Sequence, residues 1–215
     1  MLSYAERPAA GAPDGLVVLH HGRGTDEQDL LRLADVLDPA RRLLVVTPRA
    51  PLRVPGSPGF HWYLVPRVGY PDPETFALAR QGLSELHDAL WERTGLTPER
   101  TVLGGFSMGC VMSYATGLDA QRPAPAAVLG FSGFIPAVPG WEPDVAERRG
   151  LPVLVAHGRQ DPVISVEFAR EAVARLTEGG LAVDYREFDG GHWIDPQDLE
   201  RAGALLAATL PASSA

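Results

Sequence analysis

The sequence predicts an α/β fold: a mostly parallel central sheet with helices on both faces. Three observations predict it. Short apolar runs alternate with segments whose apolar residues recur at helical spacing. Continuous apolar runs are what a strand shows when both of its faces are covered. One such run, Thr101-Val102-Leu103-Gly104, passes through Gly105-Phe106-Ser107-Met108-Gly109 into Cys110-Val111-Met112-Ser113-Tyr114-Ala115, a strand, a tight turn and a helix in sequence. Three polar clusters follow apolar runs: residues 20–24 (from His20), 157–161 (from His157) and 189–193 (from Asp189). A parallel sheet gathers the carboxyl ends of its strands on one rim, where such clusters meet.

Taken in order, Leu16-Val17-Val18-Leu19-His20 reads as a buried strand. Thr25-Asp26-Glu27-Gln28 matches a capping box, so a helix is expected there, with Leu30, Ala34 and Leu37 on one face. Residues 43–47 form a second buried strand. Residues 48–73 are irregular and rich in proline, glycine and aromatics, and a loop of that length in a compact domain is usually functional. Asp72-Pro73 opens a helix with an N-cap and a first-turn proline. Phe76, Ala79, Leu83, Leu86 and Leu90 form its apolar stripe, and Gly95 ends it. Residues 126–131 and 152–156 are further strands. Ser165 opens a helix with Phe168, Ala172 and Leu176 on one face. Residues 182–188 alternate enough to suggest an edge strand, and Pro196 opens the final helix behind an N-cap at Asp195.

The 215 residues suit one domain, 1–215, with a Pro-Ala-Ser tail at 211–215 expected to fray. No apolar run approaches the ~18 residues of a membrane span. The segment from Met1 to Pro8 has neither a basic start nor an apolar core, which argues against a secretory signal. A single cysteine, Cys110, allows no internal disulfide and is compatible with a reducing cytoplasm, the expected location. Its expected role is that of a small buried apolar residue. The formal net charge of -8 disfavours nucleic acid and anionic membrane as partners. A small molecule is the expected partner, and a homodimer is compatible with the composition.

A serine with glycines two residues to either side, on a strand-to-helix turn, has the form of a nucleophile elbow. The turn strains the serine backbone and brings neighbouring chain so close that only glycine fits. A serine hydroxyl then needs a general base, and the base needs an orienting acid. The order Ser, acid, His is satisfied by Ser107, Asp161 and His192. His157 is a rival base, but it lies four residues from Asp161 at a strand end. Asp189 is close to His192 in sequence, and Asp195 has a simpler use as a helix cap. His61 and His87 read as loop and helix-surface residues, and His20-His21 alone is weak evidence for a metal. An oxyanion would take backbone N–H groups from Met108 and from the turn at Arg23. Phe60, Trp62, Tyr63 and Tyr70, with Trp193 beside the base, are expected to wall an apolar acyl or aryl site.

These motifs together resemble the phospholipase/carboxylesterase family of α/β-hydrolases, which includes acyl-protein thioesterases. The resemblance rests on Leu19-His20-His21-Gly22-Arg23-Gly24, Thr47-Pro48-Arg49-Ala50-Pro51, Gly104-Gly105-Phe106-Ser107-Met108-Gly109, His157-Gly158-Arg159-Gln160-Asp161-Pro162-Val163 and Gly191-His192. It implies the α/β-hydrolase fold without a large cap domain, a Ser107–His192–Asp161 triad, no metal or other cofactor, and hydrolysis of a carboxylic ester. Acyl-protein thioesterases commonly carry glutamine where this chain has Met108, and Gly59-Phe60-His61-Trp62-Tyr63 departs from their pattern. The chain resembles small bacterial esterases of the family more closely, and with no large cap insertion the site is expected to be open, favouring small or medium esters over long lipids. A thioesterase or lysophospholipase of the same mechanism is the neighbouring reading. A binding module that holds a ligand without turning it over is the distant one.

Overall fold

In the computed structural model, which describes residues 1–212, the elements in chain order are β1 (Tyr4–Arg7), β2 (Gly15–His20), α1 (Ala34–Leu37), β3 (Leu43–Pro48), β4 (Leu52–Arg53) and β5 (Phe60–His61). There follow α2 (Pro73–Thr94), β6 (Thr101–Phe106), α3 (Met108–Gly117), β7 (Ala127–Phe131), β8 (Pro152–Gly158), α4 (Val166–Glu178), β9 (Ala182–Phe188) and α5 (Pro196–Thr209). Among the described residues, seven strands form one sheet in the order β1-β3-β2-β6-β7-β8-β9. All neighbours are parallel except β1, which runs antiparallel to β3. The expected edge at residues 182–188 is β9, whose exposed and covered residues alternate at its start.

Helices cover both faces because the central strands are apolar on both. On one face, Leu37 of α1 and Ala202 and Leu206 of α5 pack on Val17, Val45, Leu129 and Leu154. On the other, Leu86 and Leu90 of α2 cover Leu16, Val18, Val46 and Leu103. Tyr114 of α3 and Ala169 and Leu176 of α4 cover Val128, Val153 and Val155. Each leucine so buried contributes about 1.5–3 kcal/mol over an exposed one. The caps fall where the sequence places them. Asp72 accepts from Thr75 N at 3.0 Å, and Gly95 closes α2 in the left-handed conformation at φ 69°.

The register aligns the carboxyl ends. His20 pairs with Gly105, Phe106 with Phe131, and Gly158 with Phe188. The segments that follow these residues therefore share one rim.

One helix differs from expectation. No capping box forms at Thr25, and the helix shrinks to a 3₁₀ turn at Leu31–Leu33 and the single turn of α1. The reason lies in the side chains. The Thr25 hydroxyl donates to Gly22 O at 3.1 Å, the Asp26 carboxylate takes Gln28 N at 2.9 Å in a local turn, and Glu27 pairs with Arg49. The sequence reading also lacks β1 and the β4–β5 hairpin. Each is short and paired on one side only, so neither has a hydrophobic period to read. The tail expected to fray falls at 213–215 outside the described residues, while the Pro211 carbonyl accepts from Arg100 Nη2 at 2.8 Å.

Candidate active site

Ser107 lies between β6 and α3 with φ 57° and ψ -120°, a strained conformation for a residue with a side chain. Its amide donates to Phe131 O of β7 at 2.9 Å, which ties the turn to the next strand. The flanking glycines are required by contact. A Cβ on Gly105 would collide with the Gly109 carbonyl, and one on Gly109 with the His20 carbonyl. The strain is thus held by β6, α3 and the exit of β2 together.

The loops after β8 and β9 approach so closely that a Cβ on Gly158 would strike the Gly190 and Gly191 carbonyls. Gln160 N donates to Gly190 O at 2.9 Å across that contact. This brings Asp161 and His192 together. His192 Nδ1 donates to Asp161 Oδ2 at 2.7 Å, and the Ser107 hydroxyl meets His192 Nε2 at 2.8 Å. Asp161 Oδ1 accepts the amides of Val163 at 2.8 Å and Ile164 at 2.9 Å, which fix the carboxylate in its own turn. A carboxylate cannot donate, so the imidazole proton sits on Nδ1 and the Nε2 lone pair faces the hydroxyl. The Phe106 ring packs against His192 with centroids 4.8 Å apart. An arrangement of this kind can take a proton from Ser107 and hand it on.

His157, the rival base, lies beneath Asp161 rather than beside Ser107. Its Nε2 is 2.8 Å from Ile164 O and 3.3 Å from Asp161 Oδ2. Burial holds its pKa below the ordinary histidine value, so it is a neutral support for the Asp161 turn. The sequence already favours a structural histidine here over a rival base. The four-residue spacing to Asp161 is its signal.

Met108 is the first residue of α3, and Arg23 follows β2 in a turn beside it, both against the cavity that contains Ser107. That turn is pinned from two sides. Gly24 N donates to Phe60 O and Phe60 N to Thr25 O, each at 2.8 Å. His21 Nδ1 donates to Gly22 O at 2.7 Å while His21 Nε2 accepts Ala50 N at 3.1 Å. His21 is therefore neutral, and burial lowers its pKa. Cys110 is buried, and burial pushes its thiol pKa up.

The aromatic wall is largely corrected. The cavity beside Ser107 measures about 170 Å³ and is lined by Tyr63, Val65, Val68, Met108, Phe134 and Ile164, among others. Of the expected wall residues only Tyr63 is on it. Trp62 is wholly buried: its Nε1 donates to His21 O at 2.9 Å and its amide donates to Met108 Sδ at 3.2 Å. It supports the site from below and cannot touch a substrate. Phe60 lies under the guanidinium groups of Arg49 and Arg53, at 4.8 and 5.0 Å, and is not part of the lining. Tyr70 is 47% exposed beneath Arg67 and also lies off the cavity. Trp193, 51% exposed, lines a separate cleft with Phe106, His192 and Leu199. His87 is corrected too. It is buried in α2 facing His20, with ring centroids 6.0 Å apart. Among the described residues no helix is long and apolar enough to cross a membrane, and no group of three or more His, Cys, Asp or Glu could hold a metal ion.

Comparison with known proteins shows the family of the chain. The chain is 26% identical to acyl-protein thioesterase 1 of Gibberella zeae, over 95% of this chain and 94% of that protein. It is 27% identical to the putative hydrolase MhqD of Bacillus subtilis, over 89% and 92% of the two. The solved structure of esterase PE8 superposes with a TM-score of 0.83 at 33% identity, covering 97% of this chain and 99% of that one. The Bacillus cereus carboxylesterase shares the fold, with a TM-score of 0.84 at 22% identity, over 97% and 95% of the two chains. The family model described as phospholipase/carboxylesterase matches residues 7–210, and the chain belongs to that family.

Proposed function

We propose that the protein is a serine esterase that hydrolyses small or medium carboxylic esters through an acyl-enzyme. The observation that carries this reading is the chain of hydrogen bonds from Asp161 to His192 to Ser107, at 2.7 and 2.8 Å. The Ser107 oxygen attacks the ester carbonyl while His192 Nε2 takes its proton. Asp161 holds the imidazole in the required tautomer and stabilises the imidazolium. The tetrahedral oxyanion takes hydrogen bonds from the backbone N–H groups of Met108 and Arg23. Collapse expels the alcohol, which leaves with the proton of His192. Water, deprotonated by His192, then attacks the acyl-serine, and the acid departs.

The cavity supports short acyl groups. A cavity of roughly 150 Å³ accommodates a benzene ring, and about 170 Å³ is available beside Ser107. A thioesterase reading is favoured by the relatives named acyl-protein thioesterase, because acyl attack works equally on a thioester. Rates on butyryl against palmitoyl esters and thioesters, below micelle-forming concentrations, separate the two. The single sheet and the family match over residues 7–210 support one functional domain, and a lone buried Cys110 supports a reducing compartment such as the cytoplasm.

Ser107→Ala is expected to lower turnover by on the order of 10⁶ while the fold survives, by the precedent of serine-protease triads. A fluorophosphonate should add once to the wild-type mass and not to Ser107→Ala. Labelling elsewhere, or retained hydrolysis by the purified variant, would refute the assignment.

A further inference from the structure

A second cavity, of about 520 Å³, shares lining residues with the one that contains Ser107. Arg23 and Val65 line both, and Pro55, His61, Leu64 and Pro66 complete the second. Arg23 is the one charged residue of its lining, which holds no carboxylate. Elsewhere Arg42 pairs with Asp14, Arg49 with Glu27 and Arg80 with Asp119. Among the described residues Arg23 and Arg53 have no carboxylate partner. Beside Arg23, His61 is only 4% exposed, yet its Nδ1 has no hydrogen-bond partner. Burial, and then the charge of Arg23, hold His61 below its ordinary pKa, so the ring is neutral.

The two sides of the ester can be assigned from His192. The alcohol takes its proton from His192 and must leave past it. His192 lines the cleft with Phe106 and Trp193, not the cavity of Tyr63 and Met108. The cavity beside Ser107 therefore receives the acyl group, and the Arg23–His61 cavity receives its far end.

We propose that the Arg23–His61 cavity binds a carboxylate at the end of the acyl chain, so that the preferred substrates are half-esters of dicarboxylic acids. This rests on the serine-esterase reading. Arg23 then acts twice: its N–H faces the oxyanion, and its guanidinium faces the distal carboxylate as a planar, bidentate cation.

The test compares monoethyl succinate, glutarate and adipate with ethyl butyrate, valerate and hexanoate by pH-stat at neutral pH. The half-ester should exceed its length-matched neutral ester in kcat/KM by about tenfold or more for at least one length, as a charge-assisted hydrogen bond allows. Arg23→Gln should bring that ratio close to one, and Arg23→Lys should keep part of it. A wild-type ratio at or below one, or a ratio that Arg23→Gln leaves alone, overturns the subsite while the esterase reading stands. If neither series is turned over, the esterase reading fails. Calorimetric binding of monoethyl glutarate against ethyl valerate then still reads the subsite, and equal affinities overturn it.

Discussion

Two regions build the site, and they follow different rules. The rim formed by the ends of β6, β8 and β9 places Ser107, Asp161 and His192 within 2.8 Å contacts. The loop of residues 49–72 supplies the floor and one wall, and there the aromatic residues point mostly away from the cavity. On the rim, parallel register fixes where each strand ends, and short glycine turns leave one path for the chain. In the loop, orientation is decided by what each ring can bury, and Trp62 finds His20 and His21 before it finds a substrate. Position is inherited from the sheet in the first region and negotiated by packing in the second.

The largest effect that sharpens this contrast belongs to the rim. Asp161→Asn keeps an oxygen for the Val163 and Ile164 amides but turns an NH₂ group toward His192 Nδ1. The imidazole proton then moves to Nε2 and faces Ser107. Turnover should fall on the order of 10⁴, as in a triad with the wrong tautomer. Asp195→Asn should change turnover little, because Asp195 caps α5 through Gln197 N at 3.0 Å and asparagine caps as well. Steady-state kinetics on both variants checks the pair. A silent Asp161→Asn beside a crippled Asp195→Asn would move the acid from β8 to the loop after β9.

What was legible in the sequence follows the same division. The elbow glycines, the order of Ser107, Asp161 and His192, and the caps at Asp72, Ser165 and Asp195 are local patterns with one physical meaning each. The capping box at Thr25 is equally local but has competitors outside the window, since Glu27 is taken by Arg49 and Thr25 by Gly22. Phe60, Tyr63 and Tyr70 carry no signal for direction. Tyr63 lies on the wall, while Phe60 and Tyr70 lie under arginines of the same loop. The burial of His87 was legible in principle. It follows Leu83 at four residues and Leu86 at one, and so falls at the margin of the apolar stripe.

The loop's aromatics should therefore affect stability and not specificity. Trp62→Ala removes a wholly buried indole, its bond to His21 O, and the ring contacts to both histidines. The expected loss is about 3–5 kcal/mol in stability, seen as a lower denaturant midpoint. Tyr70→Ala, at 47% exposure, should stay within about 0.5 kcal/mol of wild type. A Trp62→Ala protein of normal stability with an altered chain-length preference would return Trp62 to the substrate wall.

A pH-dependent effect lies beneath that loop, where Trp62 packs on His20 and His20 faces His87. His87 Nε2 is buried without a partner, and burial, reinforced by Arg122, pushes its pKa down to about 3. Unfolded, the ring titrates near ~6.5. Between those two values the unfolded chain binds a proton that the native one refuses, so acidification favours unfolding. The contribution is complete above the unfolded value and declines as pH falls toward the folded one, by up to about 1.4 kcal/mol per pH unit. Carboxylates also titrate in that range, so the informative quantity is a difference between proteins. His87→Leu removes the titrating ring and leaves an apolar residue in an apolar site. Its urea midpoint should depend less steeply on pH between neutrality and mild acid than that of wild type. Parallel pH profiles for the two proteins would show that His87 takes up its proton without unfolding α2, and would place water at the His20–His87 contact.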